Sequence, residues 1–76
     1  MDKDYQPISC ATHERLEFSV LRKLRLDLKL LDGTALRVLP LDVYTQENAE
    51  WLRFRTEDGS EQTIRLDQIK SFDEIP

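Results

Sequence analysis

The most regular pattern in the chain is the alternation of leucines with charged residues over residues 24–30. Successive side chains of a β-strand project to opposite faces, so this alternation gives one apolar face and one charged face. A helix would scatter the same leucines around its circumference. Asp32 and Gly33 then supply the positive-φ residues of a tight turn, and a second strand-like run begins at Thr34. The pattern predicts a half-buried antiparallel hairpin.

Four further strands are predicted after the first one. The second is expected to stop before Pro40, which lacks the N–H of a ladder hydrogen bond, or to lie there on a sheet edge. In the third strand Leu52 and Phe54 face inward, and Gly59 is the expected left-handed residue of the turn that follows. The predicted segments are strands at 34–39, 49–56, 62–66 and 69–72, a connection at 41–48, a corner at Asp67-Gln68 and a polar end at 73–76.

Before the first hairpin the sequence predicts a helix over residues 11–22, preceded by an extended lead-in at residues 1–9. Leu16 and Val20 share one face of this helix. Either Ser9 or Thr12 could cap its beginning. Neither has an acidic residue three positions later, so no capping box decides between them. Phe18 and Leu21 fall outside the apolar stripe, so the amphipathic pattern is imperfect.

These elements predict an α+β fold that is mainly β. One-sided strands must bring their apolar faces together, and we expect an N-terminal helix over a small, strongly bent five-stranded antiparallel sheet or barrel. No repeat or interdomain linker is visible, so residues 1–76 are expected to form a single domain.

Composition narrows the possible functions. Fifteen acidic against eleven basic residues give a formal charge of −4, which disfavours general nucleic-acid binding and is compatible with a basic protein partner. One cysteine and one histidine cannot form an intrachain disulfide or a metal site without carboxylates. We expect no cofactor or metal, no membrane association, no secretory signal and a location in the reducing cytoplasm.

The candidate catalytic groups are few. Cys10 and His13 are three residues apart, but a nucleophilic pair needs a third orienting group and a cleft. A buried or half-exposed structural role is expected for Cys10, and a surface position for His13. Carboxylate neighbours such as Glu14 and Glu17 are common in so acidic a chain. The sequence therefore predicts a protein that is not an enzyme.

The strand arginines allow two interpretations. Outward residues such as Arg53 and Arg55 could form a basic sheet face, with Trp51 as a stacking platform for a base. Alternatively, the arginines could pair across strands with acidic residues on a solvated face. Those acidic residues are Asp27, Glu50 and Glu61. The acidic group formed by Asp2, Asp4, Glu14 and Glu17 could likewise be a partner surface or serve solubility alone.

The opening segment is the most specific part of the sequence. Tyr5-Gln6-Pro7-Ile8-Ser9-Cys10 resembles the Tyr-Gln-Pro-Ile-(Asn/Ser)-Cys opening of the Rho-binding antiterminator family, known as Rof or YaeO. The similarity extends in the same order along almost the whole chain. It includes Leu16-Glu17, the leucine-rich strand that ends in Leu31-Asp32-Gly33, and the segment from Arg65 to Phe72.

This resemblance implies an Sm-like fold and a specific function. Proteins of that family bind the transcription termination factor Rho at its primary RNA-binding domain, block RNA entry and inhibit Rho-dependent termination. An acidic protein can compete for a basic surface that receives phosphates. The implied contact residues are Asp4, Tyr5, Gln6, Glu14 and Glu17, with Tyr5 as an aromatic anchor and the carboxylates paired with basic residues of Rho.

Three hypotheses follow. The first is a monomeric, stoichiometric Rho inhibitor that competes with RNA rather than binding it. The second is a small Sm-like RNA-binding module that uses Trp51 and the strand arginines. The third is an interaction domain with some other partner. Replacing Arg53 or Arg55 should weaken RNA binding, whereas Glu14→Lys or Glu17→Lys should weaken Rho binding.

Overall fold

The structure, a computed structural model, describes residues 9–75. Its elements are α1 (Cys10–Arg22), β1 (Arg25–Leu30), β2 (Ala35–Gln46), β3 (Ala49–Thr56), β4 (Glu61–Arg65), a 3-10 helix (Leu66–Gln68) and β5 (Ile69–Ile75). The strands form one antiparallel five-stranded sheet in the order β4-β3-β2-β1-β5. The predicted α+β class, a helix followed by a five-stranded antiparallel sheet, is confirmed.

The leucines of β1 form the centre of the core, as their alternation predicts. Leu26 and Leu28 are fully buried, and they lie opposite Val38 and Leu36 of β2 in the ladder. The charged residues that alternate with these leucines, Arg25, Asp27 and Lys29, are more exposed and face away from the core. The other buried members of the core cluster are Leu16, Leu52, Phe54, Leu66 and Phe72. Every element except β4 thus contributes at least one buried side chain to a single apolar layer.

The turn after β1 is longer than the predicted two-residue hairpin. Only Gly33 has a positive φ, of 92°, and Asp32 does not. The Leu30 N–H donates to the Thr34 carbonyl at 2.8 Å, and the Gly33 N–H donates to the Leu30 carbonyl at 3.0 Å. This is a three-residue loop that ends in a left-handed glycine. The prediction that both Asp32 and Gly33 adopt positive φ was therefore wrong.

β2 continues well past the predicted end of the second strand. It runs through Pro40 to Gln46, so the segment predicted as a connection is mostly strand. The ladder between β1 and β2 ends at Val38, and the register with β3 shifts between Pro40 and Asp42. Because β1 no longer pairs there and a bulge absorbs the irregularity, the missing N–H of Pro40 breaks no ladder.

The hairpin between β2 and β3 is formed by Glu47 and Asn48. Both residues have positive φ, 54° and 62°, and Gln46 pairs directly with Ala49. This is the geometry of a two-residue type I′ turn. β3 itself has the predicted bounds, Ala49–Thr56, with Leu52 and Phe54 buried as expected.

β5 is longer than predicted because β1 offers it a full-length partner. Arg25 pairs with Ile75 and Leu28 pairs with Phe72, so most of the predicted polar end belongs to the strand. Between β4 and β5 the predicted corner is a 3-10 helix, Leu66–Gln68, in which Leu66 is buried. Leu66, which was expected at the end of the fourth strand, is therefore part of the 3-10 helix and packs into the core from there.

Candidate partner-binding surface

The helix α1 carries the predicted site residues that the structure describes. Glu14 and Glu17 lie one turn apart on α1 and both are exposed. Asp4, Tyr5 and Gln6 lie outside the described residues. Glu14 makes no ion pair with a described residue, so its charge is available at the surface. The structure thus brings together the two acidic members of the predicted site that fall on the helix.

Both ends of α1 are fixed by local hydrogen bonds. At the beginning, the Ser9 hydroxyl oxygen accepts from the Thr12 N–H at 3.2 Å, so Ser9 is the N-cap rather than Thr12. At the end, Lys23 adopts the left-handed conformation with φ 55°. The Lys23 and Leu24 N–H groups then donate to helix carbonyls in a Schellman pattern, which closes the helix without a glycine.

Four exposed residues of α1 form one stripe along the helix. Glu14, Glu17, Phe18 and Leu21 have the spacing i, i+3, i+4, i+7, which places them on one face of a helix. All four are exposed, whereas Leu16 and Ser19 on the opposite face are buried. We call these four residues the outer stripe. Sequence reasoning identified its two acidic members and treated the two apolar members as defects of the buried stripe.

His13 joins the first half of α1 to β3. Its Nδ1 atom lies 3.2 Å from Glu17 Oε1, and its Nε2 atom lies 2.9 Å from Glu50 Oε2. Its side chain is 25% exposed, so the ring lies partly at the surface, where it is held between two carboxylates. Glu17 is therefore a carboxylate that the fold already orients. The nearby Cys10 is exposed, contrary to the buried or half-exposed position expected of it.

Arg15 fixes the middle of α1 against the edge strand β5. Its guanidinium forms two hydrogen bonds to the Glu74 carboxylate, at 3.0 and 2.7 Å, and lies 4.4 Å from the centre of the Phe72 ring. The hydrogen bond from Arg15 lowers the pKa of Glu74. Because Arg15 is tied to β5, the outer stripe is held in one orientation relative to the sheet.

The strand arginines are largely paired with acidic residues. Arg37 contacts its cross-strand neighbour Asp27 at 3.0 Å, and Arg55 contacts its cross-strand neighbour Glu61 at 3.1 Å. Cross-strand pairing with these two acids is one of the two interpretations of the sequence, and it is confirmed for these pairs. The third predicted acid, Glu50, instead contacts His13.

A shallow concavity on the sheet gathers three arginines, Arg25, Arg37 and Arg55, around a volume of about 330 Å³. Glu57 also lines it, and Arg37 and Arg55 have acidic partners. Two of the three arginines are thus already paired with a carboxylate, and Glu57 adds a negative charge to the lining, which opposes phosphate binding in this concavity.

Trp51 is oriented by its own hairpin. Its indole N–H donates to the Gln46 carbonyl at 3.0 Å, and the residue is half-buried between its ladder neighbours Tyr44 and Arg65. Arg65 is itself bound to Asp67 by two hydrogen bonds of 2.9 Å. The indole therefore lies beside a neutralised arginine rather than beside a free cation.

Residues 9–75 contain no group of three or more histidine, cysteine or acidic residues placed to hold a metal ion. The helices in this range include none that is long and apolar enough to cross a membrane.

Comparison with known protein families matches most of the chain. A family model described as "Modulator of Rho-dependent transcription termination (ROF)" matches residues 7–76. A search of curated proteins found no match. The family match covers α1 and every strand of the sheet, so it includes the outer stripe.

Proposed function

Because the chain belongs to the ROF family of modulators of Rho-dependent transcription termination, we propose that it inhibits termination by binding Rho directly. In this proposal it occupies the primary RNA-binding domain of Rho and blocks RNA access. It acts stoichiometrically, as a monomer in the cytoplasm, by binding and without catalysis or a cofactor.

The observation that carries the proposal is the exposed pair Glu14 and Glu17 on α1. A surface of Rho that receives RNA must be basic, and carboxylates that are held in place complement such a surface. Glu14 makes no ion pair with a described residue, and Glu17 remains 54% exposed beside His13. The N-terminal residues Asp4, Tyr5 and Gln6 extend the proposed contact, with Tyr5 as an aromatic anchor.

The charge distribution favours this proposal over an RNA-binding module. Arg37, Arg55 and Arg65 each have a carboxylate partner, and each such pair would have to open before a phosphate could bind. The net charge of −4 also opposes the binding of RNA, because the phosphates repel it. A protein partner with a basic surface can bind without opening these ion pairs, and the negative net charge attracts it.

Charge reversal on α1 tests the proposal. Purified Rho is titrated with the wild-type chain and with Glu14→Lys, Glu17→Lys and Glu57→Lys. The last variant is the matched control, because it makes the same charge change in the exposed turn between β3 and β4. We expect each of the two helix variants to weaken binding about tenfold, and the control to stay within about threefold of wild type.

The RNA-binding alternative predicts a different set of results. There the wild-type chain binds single-stranded RNA directly, and Arg53→Gln weakens that binding while Glu14→Lys does not. Absence of Rho binding at micromolar concentration, or an equal loss in Glu14→Lys and Glu57→Lys, would contradict the proposed surface.

A further inference from the structure

A groove runs between the second half of α1 and the middle of β2. Glu17, Val20 and Leu21 line it from the helix, and Asp42 and Val43 line it from the strand. Its volume is about 210 Å³, below the roughly 300–1,000 Å³ of small-molecule sites. A space of this size suits one inserted side chain rather than a free ligand.

The floor of the groove is apolar and open. Val20 and Val43 are half-buried, and Leu21 is 79% exposed, the highest exposure among the large apolar residues of the described chain. The other exposed apolar residue of the outer stripe, Phe18, has the Arg22 guanidinium 5.2 Å from its ring centre. Leu21 has no comparable cover, so it is the apolar side chain that a partner would gain most by burying.

Both walls of the groove carry a carboxylate. Glu17 on α1 is exposed and contacts only the half-buried His13 ring among the described residues. Asp42 on β2 is exposed and forms no ion pair with a described residue, although Arg53 is its ladder neighbour. An apolar floor between two acidic walls complements a side chain with a long aliphatic stem and a cationic end.

We infer that this groove receives a single long basic side chain, a lysine or an arginine, from the RNA-binding surface of Rho. The aliphatic stem packs on Leu21, Val20 and Val43, and the cationic end lies between Glu17 and Asp42. This inference rests on the proposed function and extends the contact beyond the two predicted glutamates to Leu21 and Asp42.

The test compares groove variants with matched variants elsewhere. Purified Rho is titrated with Leu21→Ser and Asp42→Asn, and with the controls Leu31→Ser and Asp73→Asn. Leu31 is also an exposed leucine, 60% accessible, but it lies in the turn after β1; Asp73 is an exposed strand aspartate on β5. We expect Leu21→Ser to weaken binding about tenfold and Asp42→Asn about fivefold, with both controls within about twofold of wild type.

Three results would overturn the inference. If Glu14→Lys weakens binding but Leu21→Ser and Asp42→Asn bind like wild type, the groove is not a contact although the proposed function stands. If the wild-type chain does not bind Rho, both fail together. If sedimentation shows that the wild-type chain is a dimer and Leu21→Ser is a monomer, the occupant is a second copy of this chain. Circular dichroism melts verify that the variants fold. We expect them to fold because the changed residues are exposed.

Discussion

Two turns of the sheet are built from the same short sequence. Leu31-Asp32-Gly33-Thr34 and Glu57-Asp58-Gly59-Ser60 each have, as the third residue, a glycine with φ near 90°. In each, the aspartate carboxylate accepts the N–H of the residue after the glycine, at 2.9 and 3.0 Å. The hydrogen bond from the Thr34 N–H lowers the pKa of Asp32. The pKa of Asp58 is lowered first by the hydrogen bond from the Thr56 hydroxyl and then by that from the Ser60 N–H. The motif x-Asp-Gly-(Thr/Ser) therefore indicates a turn with a left-handed glycine that the aspartate carboxylate stabilises.

The conformation of Gly59 leads to a stability prediction. A Cβ atom built there meets nothing within 4 Å, so any cost of a side chain comes from the backbone alone. Because φ is +90°, we expect Gly59→Ala to lower the free energy of unfolding by about 1–2 kcal/mol and Gly59→Asn by about half as much. Urea unfolding measures both variants. Equal stability of the wild-type chain and Gly59→Ala would show that the turn does not need a left-handed residue.

The pair between Arg15 and Glu74 predicts a dependence on pH. The pKa of Glu74 is lowered in the folded chain by the hydrogen bond from Arg15. The stabilisation is therefore complete above the ordinary glutamate pKa of about 4.3 and is lost as the pH falls through the folded value.

The variant Glu74→Gln measures this contribution. At pH 7 we expect it to be less stable than wild type by about 0.5–1 kcal/mol, since both side chains are partly exposed. The difference should shrink towards zero by about pH 2–3 in urea titrations at each pH. A difference that stays constant from neutral to acid pH would mean that the ion pair does not stabilise the fold.

The contact of α1 with the sheet depends on a small residue. Ser19 is fully buried, and its hydroxyl donates to the Arg15 carbonyl of the same helix at 2.9 Å. Its partner lies within α1, so the hydroxyl makes no bond to the sheet, and the small size of the side chain is what lets the helix approach.

Two substitutions at Ser19 separate size from hydrogen bonding. We expect Ser19→Ala to change the free energy of unfolding by about 0.5 kcal/mol or less, because alanine keeps the volume and favours helix. Ser19→Leu should destabilise by about 1–3 kcal/mol because it forces the helix away from the sheet. Thermal melts distinguish the two. A larger loss in Ser19→Ala than in Ser19→Leu would assign the role to the hydroxyl.

The strands that could be predicted are those in which the sequence itself alternates between apolar and polar residues. β1 alternates between buried and more exposed residues, β3 does so from Leu52 onward, and the observed bounds of both strands match the prediction to within one residue. The second half of β2 could not be predicted, because Pro40 is tolerated only where the β1 ladder has already ended, which is a property of the assembled sheet. β5 extends past Phe72 for a similar reason, because β1 offers it a ladder partner as far as Ile75.

The candidate site was predictable in part. Glu14 and Glu17 follow from the family resemblance, and the structure places both on the exposed side of α1. The spacing of Phe18 and Leu21 with these glutamates was present in the sequence and indicates a second, outward stripe. Asp42 carried no such signal, because its place beside α1 results from the long course of β2.

The molecule as a whole is acidic, but its charges are not spread evenly. Arg37, Arg55 and Arg65 of the sheet are paired with carboxylates, whereas Glu14 of α1 and Asp42 of β2 form no ion pair with a described residue. Glu14, Glu17 and Asp42 are all exposed, and Glu17 and Asp42 line the same groove, so exposed negative charge lies around α1 while three arginines of the sheet are neutralised. This asymmetry is what a competitor of RNA for a basic protein surface requires.

Displacement of RNA from Rho tests the central claim most directly. A fluorescently labelled single-stranded RNA is bound to purified Rho, and its anisotropy is followed while the wild-type chain is added. We predict that the anisotropy falls to the value of free RNA as Rho becomes saturated, and that Glu14→Lys needs about tenfold more protein for the same effect. An anisotropy that stays unchanged or rises, because the chain leaves RNA on Rho or binds RNA itself, would contradict the account.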